Sequence, residues 1–293
     1  MSVPRHLDLS PELAPTRVTA ASGELAALVA TPPDGVVRRT PVLAVPGYTG
    51  SKEDFLHLLP LLARRGHPTV AIDLRGQHES GGPEDVSAYS IDALARDITA
   101  LLAAEPSHVL AHSFGGLVCR AAVIGGAPAR SLTLLGSGPA ALGGTRGQLI
   151  ELMQPLLAEG GVAAVWEASE ALSASDPNRA GISADVRAFL RRRFLASPDA
   201  ALLGMGIAVT TESDRVEELR ATNVPVLVAH GEADDAWTPQ EQTEMAQRLD
   251  AEHAILSGAG HSPAVDTPKA IADVLETFWA RLDSRSLDDI VDG

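Results

Sequence analysis

The sequence is poor in several features that mark common classes of protein. It has one cysteine, Cys119, so the chain cannot form an internal disulfide. Basic residues number 23 against 38 acidic ones, and the net charge of −15 argues against the basic face of a nucleic-acid-binding protein. The one dense basic cluster is Arg191, Arg192 and Arg193, which has apolar neighbours. We interpret this cluster as one face of a solvated helix, and we expect no nucleic-acid partner.

Long hydrophobic runs are missing as well. The segment from Met1 to Pro15 carries prolines and charges but no apolar stretch of the kind found in secretory signals. No apolar run elsewhere approaches membrane-spanning length. We therefore expect a soluble, cytoplasmic protein without a membrane span. The acidic residues 283–293 have lost helical periodicity, so this segment and residues 1–15 are predicted to be terminal tails.

Hydrophobic residues make up 45% of the 293 residues, which is enough for a large core. Two antiparallel strands are predicted at 16–20 and 24–30. From residue 41 to 135 the order of elements is βαβαβαβ, which predicts a parallel sheet with helices on both faces. Further strands at 225–229 and 253–256 complete an eight-stranded, mostly parallel α/β sheet. Ligands on such sheets bind at the carboxyl ends of the strands.

The alternation of strands and helices is interrupted once. Between residues 140 and 220 the sequence has helical periodicity, broken by pairs such as Gly160-Gly161. This block separates the sixth predicted strand from the seventh. We predict a core made of residues 16–139 and 221–282, with residues 140–220 as a helical lid over the carboxyl edge of the sheet.

A serine lies in a tight turn directly after one buried strand. The strand ends at Ala111, and His112, Ser113, Phe114 and Gly115 follow before a helical pattern begins. Small residues two positions before and after the serine suit a sharp strand–turn–helix connection. The pattern Ala-x-Ser-x-Gly differs by one methyl group from the Gly-x-Ser-x-Gly nucleophile elbow.

Two later strand ends carry an acid and a base. Asp234 and Asp235 follow the strand that leads into His230-Gly231, and either could supply a carboxylate; the position three after Gly231 favours Asp234. His261 lies in a glycine-rich loop after the last strand. The order serine, acid, histidine is that of one of the three well-known serine triads.

Taken together, these motifs resemble those of α/β-hydrolases that carry a helical lid between strands six and seven. The resemblance covers residues 16 to 282 and rests on four motifs: Pro46-Gly47-Tyr48, Asp73-Leu74-Arg75-Gly76, the serine elbow and Gly260-His261. It implies that Ser113 is the nucleophile, Asp234 the acid and His261 the base.

The chain departs from the family pattern in three places. Ala111 replaces the usual elbow glycine, and Pro46 replaces the histidine that usually precedes Gly47. The loop after Asp73 reads Arg-Gly-Gln-His-Glu-Ser where relatives often have Arg-Gly-His-Gly-x-Ser. The last two departures concern the substrate class and not the triad.

These residue types suit nucleophilic catalysis. A serine hydroxyl needs a base within hydrogen-bond reach, and the imidazole of His261 has a suitable pKa range. Asp234 would fix the histidine tautomer and stabilise the imidazolium. Two backbone N–H groups, those of Phe114 and Tyr48, are predicted to stabilise the oxyanion.

Other residues near the motifs are interpreted more simply. We expect Gly47, Trp237 and Trp166 to contact the substrate pocket, although Trp166 is equally compatible with a place in the core. His112 is expected to pack beside the sheet. The spacing of His78 with Asp73 and Glu79 matches no common metal site, so neither a metal nor a cofactor is expected. The sequence does not indicate the oligomeric state.

The predicted substrate is a small or medium carboxylic ester, with thioesters and lactones as close relatives. The same triad could instead carry out C–C bond hydrolysis, perhydrolysis or a lyase reaction, because a fold does not fix the reaction. A third hypothesis is a ligand-binding protein that keeps the fold without turnover, although no triad member is missing here.

Overall fold

A single mixed sheet organises the chain in a computed structural model that describes residues 2–173 and 181–291. Within these residues the sheet has eight strands in the order β1-β2-β4-β3-β5-β6-β7-β8. The first two pairings, β1 with β2 and β2 with β4, are antiparallel and the others are parallel. The strands are β1 Leu13–Ala20, β2 Gly23–Ala30, β3 Val42–Val45, β4 Thr69–Ile72, β5 His108–His112, β6 Ser131–Leu135, β7 Val226–Gly231 and β8 Glu252–Leu256.

The predicted eight-stranded, mostly parallel sheet is therefore confirmed. Its central strands are buried along their whole length because both of their faces are covered. Strand order reverses at β3, whose neighbours are β4 on one side and β5 on the other. A crevice at the carboxyl ends of β3 and β5 is the expected ligand site of such a sheet.

Helices cover both faces of the sheet. On one face, Leu94, Leu117 and Met245 belong to a core that includes Val109 and Ala111 of β5. On the other face, the core around Leu110 of β5 contains side chains of the first and last helices. The helices outside the insertion are α1 Leu59–Arg64, α2 Ile91–Ala104, α3 Phe114–Ile124, α8 Pro239–Leu249, α9 Pro263–Asp266 and α10 Pro268–Val291.

Helix starts follow their sequence signals with one difference. The capping box of Thr238 and Glu241 forms at the start of α8 as predicted. Ser51 and Asp54 also form a capping box, but the predicted helix is split into a 3-10 turn, Lys52–Phe55, and α1. The reason is Pro60, which has no N–H to donate to the carbonyl four residues earlier.

The insertion between β6 and β7 is helical, as predicted. Its helices within the described residues are α4 Gly144–Ser173, α5 Ala184–Leu195, α6 Asp199–Thr211 and α7 Val216–Arg220. Gly161 interrupts α4 with φ of 67° and ψ of −175°, at the predicted Gly160-Gly161 break. The short α7 is absent from the sequence prediction.

By length and composition, α4 of the insertion could span a membrane. Only 17% of its most apolar 18-residue stretch is buried. The pair α5 and α6, bent by 90°, passes the same test together. The expectation that the chain has no membrane span stays a prediction. The break at Gly161 divides α4 into two pieces, and its first 17 residues would rise about 25 Å, less than a bilayer core. The cytoplasmic location stays a prediction.

Both predicted tails contain ordered structure. β1 begins at Leu13, which packs in the core and pairs with Ala30. At the other end, α10 continues to Val291, so the predicted loss of helix at residue 283 was wrong. The hydroxyl of Thr40 donates to the Asp283 carboxylate at 2.7 Å, and this contact holds the helix against the sheet beyond its predicted end.

A buried histidine beneath this helix makes stability depend on pH. The ring of His108 is stacked on Trp279 at 5.0 Å, and burial lowers the pKa of His108 to about 4, against the opposing effect of Asp283. The unfolded chain, with a histidine pKa near 6.5, binds more protons than the folded chain between pH 6.5 and 4. The contribution of His108 is thus present above pH 6.5 and is lost as the pH falls.

We expect His108→Asn to flatten this pH dependence. Between pH 7 and 5 the free energy of unfolding of the wild type should fall by about 2 kcal/mol more than that of the variant. Urea unfolding of both proteins at the two pH values measures this difference. Equal losses in the two proteins would contradict the assignment, whatever their absolute stabilities.

Candidate active site

Ser113 lies at the crevice between β3 and β5. It follows β5 directly and precedes α3, with φ of 54° and ψ of −121°, a conformation that non-glycine residues rarely adopt. Close packing enforces this turn: a Cβ on Gly115 would lie 2.5 Å from the carbonyl oxygen of Pro46. Ala111, which replaces the usual glycine, is fully buried in the strand. The extra methyl group is therefore accommodated.

The three residues predicted to form a triad lie in one hydrogen-bonded line. The Nε2 of His261 is 3.0 Å from the Oγ of Ser113. The Nδ1 of the same ring is 2.9 Å from Oδ1 of Asp234. The side chains come from the ends of β5, β7 and β8, which lie along the same edge of the sheet.

Asp234 is held as a carboxylate. Its oxygens accept hydrogen bonds from the Ala236 N–H at 3.0 Å and from Nε2 of Gln242 at 3.0 Å. Burial raises the pKa of this carboxyl, but the hydrogen bond and charge of His261 outweigh burial, so the pKa of Asp234 lies below its ordinary value. Asp235 points elsewhere: its side chain is 66% exposed and pairs with Arg146 at 2.6 Å.

His112 supports the loop that carries the histidine. It is buried beside the sheet, as predicted, and its Nε2 donates to the backbone carbonyl of His261 at 2.8 Å. Burial, together with the neighbouring His261, lowers the pKa of His112 to about 3, so the ring is neutral and keeps one N–H for this bond.

The two predicted oxyanion donors flank the serine. A Cβ on Gly47 would lie 3.3 Å from the Oγ of Ser113, so the backbone before Tyr48 touches the candidate nucleophile. The N–H of Phe114 opens α3. Within the described residues, neither the Tyr48 N–H nor the Phe114 N–H has a protein acceptor. Both are thus free to bind an oxygen.

The residues predicted to line the pocket lie at different distances from the triad. Trp237 is buried, with its ring 6.5 Å from that of His261 and its Nε1 donating to the carbonyl of Ala140. Trp166 belongs to the core of the insertion, where its ring lies 5.5 Å from Phe194. Gly47 adjoins Ser113, as described above.

The insertion is tied to the loop after β3. Arg193 of α5 is buried and contacts Oδ1 of Asp54 at 2.6 Å and the carbonyl of Ser2 at 2.8 Å. The hydroxyl of Tyr48 donates to the carbonyl of Leu202 at 3.0 Å. The interpretation of all three arginines as a solvated face was wrong for Arg193, because Asp54 supplies its counter-charge from a distant part of the chain.

This ion pair gives a prediction on stability. Arg193→Met should cost about 3 to 5 kcal/mol of unfolding free energy, because it leaves Asp54 buried without its partner. Burial already raises the pKa of Asp54 despite the arginine beside it. The neighbouring Arg192 is exposed, so Arg192→Met is the matched control and should change stability by less than about 0.5 kcal/mol. Equal losses in denaturant unfolding of the two variants would contradict this account.

A cluster of charged side chains surrounds Lys52. The ligand atoms of Glu53, His78 and Glu79 lie within 4.8 Å of one another, although sequence spacing gave no role to Glu53. The Nζ of Lys52 is 2.9 Å from Glu53, 2.7 Å from Glu79 and 3.0 Å from the buried Asp73. A protein ammonium group therefore supplies positive charge at the centre of these carboxylates.

Sequence reasoning missed Gln242, which is fully buried and binds both Asp234 and the carbonyl of Trp237. A signal for it exists. The buried face of α8 consists of Gln242, Met245, Ala246 and Leu249, so the glutamine occupies one position of an otherwise apolar stripe. A polar residue at such a position needs a buried partner.

Comparisons with known proteins concern the family and the fold of the chain. A family model described as "Alpha/beta hydrolase family" matches residues 42–274. A search of curated proteins returned no match.

Solved structures with a similar fold include three hydrolases. A thermophilic esterase from Thermogutta terrifontis has a TM-score of 0.71 and 18% identity over 92% of this chain and 99% of its own. An enol-lactonase from Burkholderia xenovorans has a TM-score of 0.74 and 18% identity over 90% and 100%. The thioesterase domain from the curacin biosynthetic pathway has a TM-score of 0.65 and 19% identity over 89% and 98%. At these identities the likeness is one of fold.

Proposed function

Since the chain belongs to the alpha/beta hydrolase family, it is a hydrolytic enzyme, and we propose that it cleaves a small or medium carboxylic ester through an acyl-enzyme on Ser113. The observation that carries this proposal is the line of hydrogen bonds from Ser113 through His261 to Asp234. Geometry, rather than the position of residues in the sequence, is what identifies a triad.

In the proposed first half-reaction, the Oγ of Ser113 attacks the ester carbonyl while Nε2 of His261 takes the hydroxyl proton. The N–H groups of Tyr48 and Phe114 stabilise the negative charge that develops on the carbonyl oxygen. His261 then gives its proton to the leaving alkoxide, and an acyl group stays on Ser113. Asp234 keeps the imidazole in the required tautomer and stabilises its charged form.

In the second half-reaction, water takes the place of the alcohol. His261 removes a proton from the water, the resulting hydroxide attacks the acyl carbonyl, and the proton returns to Oγ as the acid leaves. The helical insertion acts as the lid over this site in our proposal, because Tyr48 and Arg193 tie it to the loop that carries the Tyr48 donor.

A substrate panel tests the proposal. Purified enzyme should hydrolyse p-nitrophenyl acetate or butyrate with a burst of nitrophenol close to one equivalent of enzyme, because nitrophenol is a good leaving group and acylation should be faster than deacylation. An acyl thioester and a lactone belong in the panel, since the fold is shared with a thioesterase and an enol-lactonase. Cleavage of a C–C bond substrate or a cyanohydrin, or formation of a peracid from a carboxylic acid and hydrogen peroxide, with no turnover of the esters would instead favour the alternative reactions. Tight binding of a small ligand without any turnover would favour a binding protein.

A further inference from the structure

The loop after β4 contains a buried glutamine, which binds the carbonyl side of a peptide whose N–H is a proposed oxyanion donor. Gln77 is 2% exposed, and its Nε2 donates to the carbonyl oxygen of Gly47 at 2.8 Å. That carbonyl belongs to the same peptide group as the N–H of Tyr48. We propose that Gln77 is a positioning residue, which orients the Gly47–Tyr48 peptide so that its N–H faces the oxyanion. The inference rests on the function proposed above.

The Gly47–Tyr48 peptide group is planar and trans. The described chain contains no cis peptide bond, so the C=O of Gly47 and the N–H of Tyr48 point in opposite directions across one plane. Any contact that fixes the direction of the carbonyl therefore fixes the direction of the N–H. Gln77 holds the carbonyl from one side, and the Gly50 N–H holds it from within the turn at 3.0 Å.

Both ends of the glutamine amide are in use. Its Oε1 accepts the backbone N–H of Leu74 at 3.1 Å, while its Nε2 faces the Gly47 carbonyl. Because one partner is a donor and the other an acceptor, only one orientation of the amide satisfies both. A carbonyl that accepts hydrogen bonds also polarises the attached N–H, so the contact strengthens the donor as well as aiming it.

The loop that carries Gln77 is itself fixed. Asp73 is fully buried and accepts the N–H groups of Lys52 at 2.7 Å and Glu79 at 3.1 Å. Gly76 adopts φ of 79°, and a Cβ there would lie 2.5 Å from Ala201 and from the ring of Tyr89. Gln77 thus connects this well-packed loop to the Gly47–Tyr48 peptide.

Three variants separate positioning from a merely structural role. Gln77→Glu is isosteric and keeps an acceptor for Leu74, but its carboxylate cannot donate to Gly47. Gln77→His retains an N–H that can reach the carbonyl. The control is Tyr89→Phe, which removes a hydrogen bond of 2.7 Å to Pro83 in the same region without touching Gly47.

The measurement is the second-order rate constant for labelling by a fluorophosphonate probe, with thermal unfolding in parallel. In labelling, Ser113 Oγ bonds to phosphorus, fluoride leaves with the bonding electrons, and His261 takes the hydroxyl proton. The phosphonyl oxygen carries charge into the oxyanion hole, so no natural substrate is needed.

We expect Gln77→Glu to lower the labelling rate at pH 8 by about 10- to 100-fold, somewhat less than the loss of an entire donor. The ratio of its rate to that of wild type should rise as the pH falls, because a protonated carboxyl can donate. Gln77→His should label faster than Gln77→Glu at pH 8. The labelling rate of Tyr89→Phe should lie within about twofold of the wild-type rate, even if its melting temperature falls.

Other outcomes would overturn the inference. Labelling of Gln77→Glu at the wild-type rate, or equal losses in Gln77→Glu and Tyr89→Phe, would mean that Gln77 has no specific role at the peptide. A wild-type enzyme that the probe does not label at Ser113 would instead remove the proposed function, and the inference with it. If wild type is labelled and Ser113→Ala is not, the proposed function holds, and the rates of the Gln77 variants then test the inference alone.

Discussion

Ser113→Ala is expected to lower kcat for a p-nitrophenyl ester by on the order of 10⁶-fold. The variant keeps His261 and Asp234 in place but has no oxygen to attack the carbonyl. A residual rate above that of the uncatalysed reaction should persist, since the oxyanion donors and substrate binding do not depend on the hydroxyl. KM should rise toward the dissociation constant of the ester, because the KM of an enzyme whose deacylation limits turnover lies below that constant.

The chain offers a matched control for this substitution. Ser107 is a buried serine next to the opposite end of β5, where its hydroxyl donates to the carbonyl of Glu105 at 2.7 Å. Ser107→Ala removes the same atom at the opposite end of β5 and should leave kcat within about twofold, with a cost of about 1 kcal/mol in stability. Wild-type turnover by Ser113→Ala, measured on protein free of wild-type contamination, would exclude the serine as nucleophile.

The second large effect concerns the acid. Asp234→Asn should lower kcat at neutral pH by on the order of 10⁴-fold, because an amide facing Nδ1 of His261 favours the wrong tautomer and cannot stabilise the imidazolium. The 2.9 Å contact between Asp234 and His261 and the lowered pKa of the carboxyl support this assignment over its neighbour.

Asp235→Asn is the control, because it makes the same change one position after Asp234. The side chain of Asp235 is exposed and pairs with Arg146, so its loss should change kcat by less than about twofold. Steady-state kinetics of both variants decide between the two carboxylates that the sequence left open. A large loss in Asp235→Asn with near-normal Asp234→Asn would reverse the assignment.

Local signals made the elbow predictable. The small residues around Ser113 and the change from a buried strand to a helix are visible within a few positions, and the structure has this turn. The two aspartates were harder, because nothing in the sequence says which side chain faces the histidine. The structure distinguishes them through burial and contacts.

Contacts between distant segments were beyond sequence reasoning. Arg193 has a buried partner 139 positions away in Asp54, and Gln77 binds a carbonyl 30 positions away in Gly47. Neither pairing follows from periodicity, since periodicity describes only which face of an element is covered. A single sequence therefore predicts which side chains are buried better than it predicts which residues they contact.

Errors at element ends have the same origin. Residues after 282 in α10 have no apolar periodicity, yet the helix continues, and Asp283 at its predicted end binds Thr40, which lies far away in the chain. The break of the first predicted helix between Phe55 and Leu59, in contrast, follows from a local rule on proline, which applies to Pro60.

The central claim is a covalent acyl group on Ser113, and trapping that group tests the claim most directly. Enzyme mixed with p-nitrophenyl butyrate and quenched in acid within the burst phase is digested and mapped by mass spectrometry. The account predicts one butyryl group per chain, on the peptide that contains Ser113, and none in Ser113→Ala. A butyryl group on another residue, or full turnover with unmodified Ser113 under conditions where deacylation limits the rate, would contradict it.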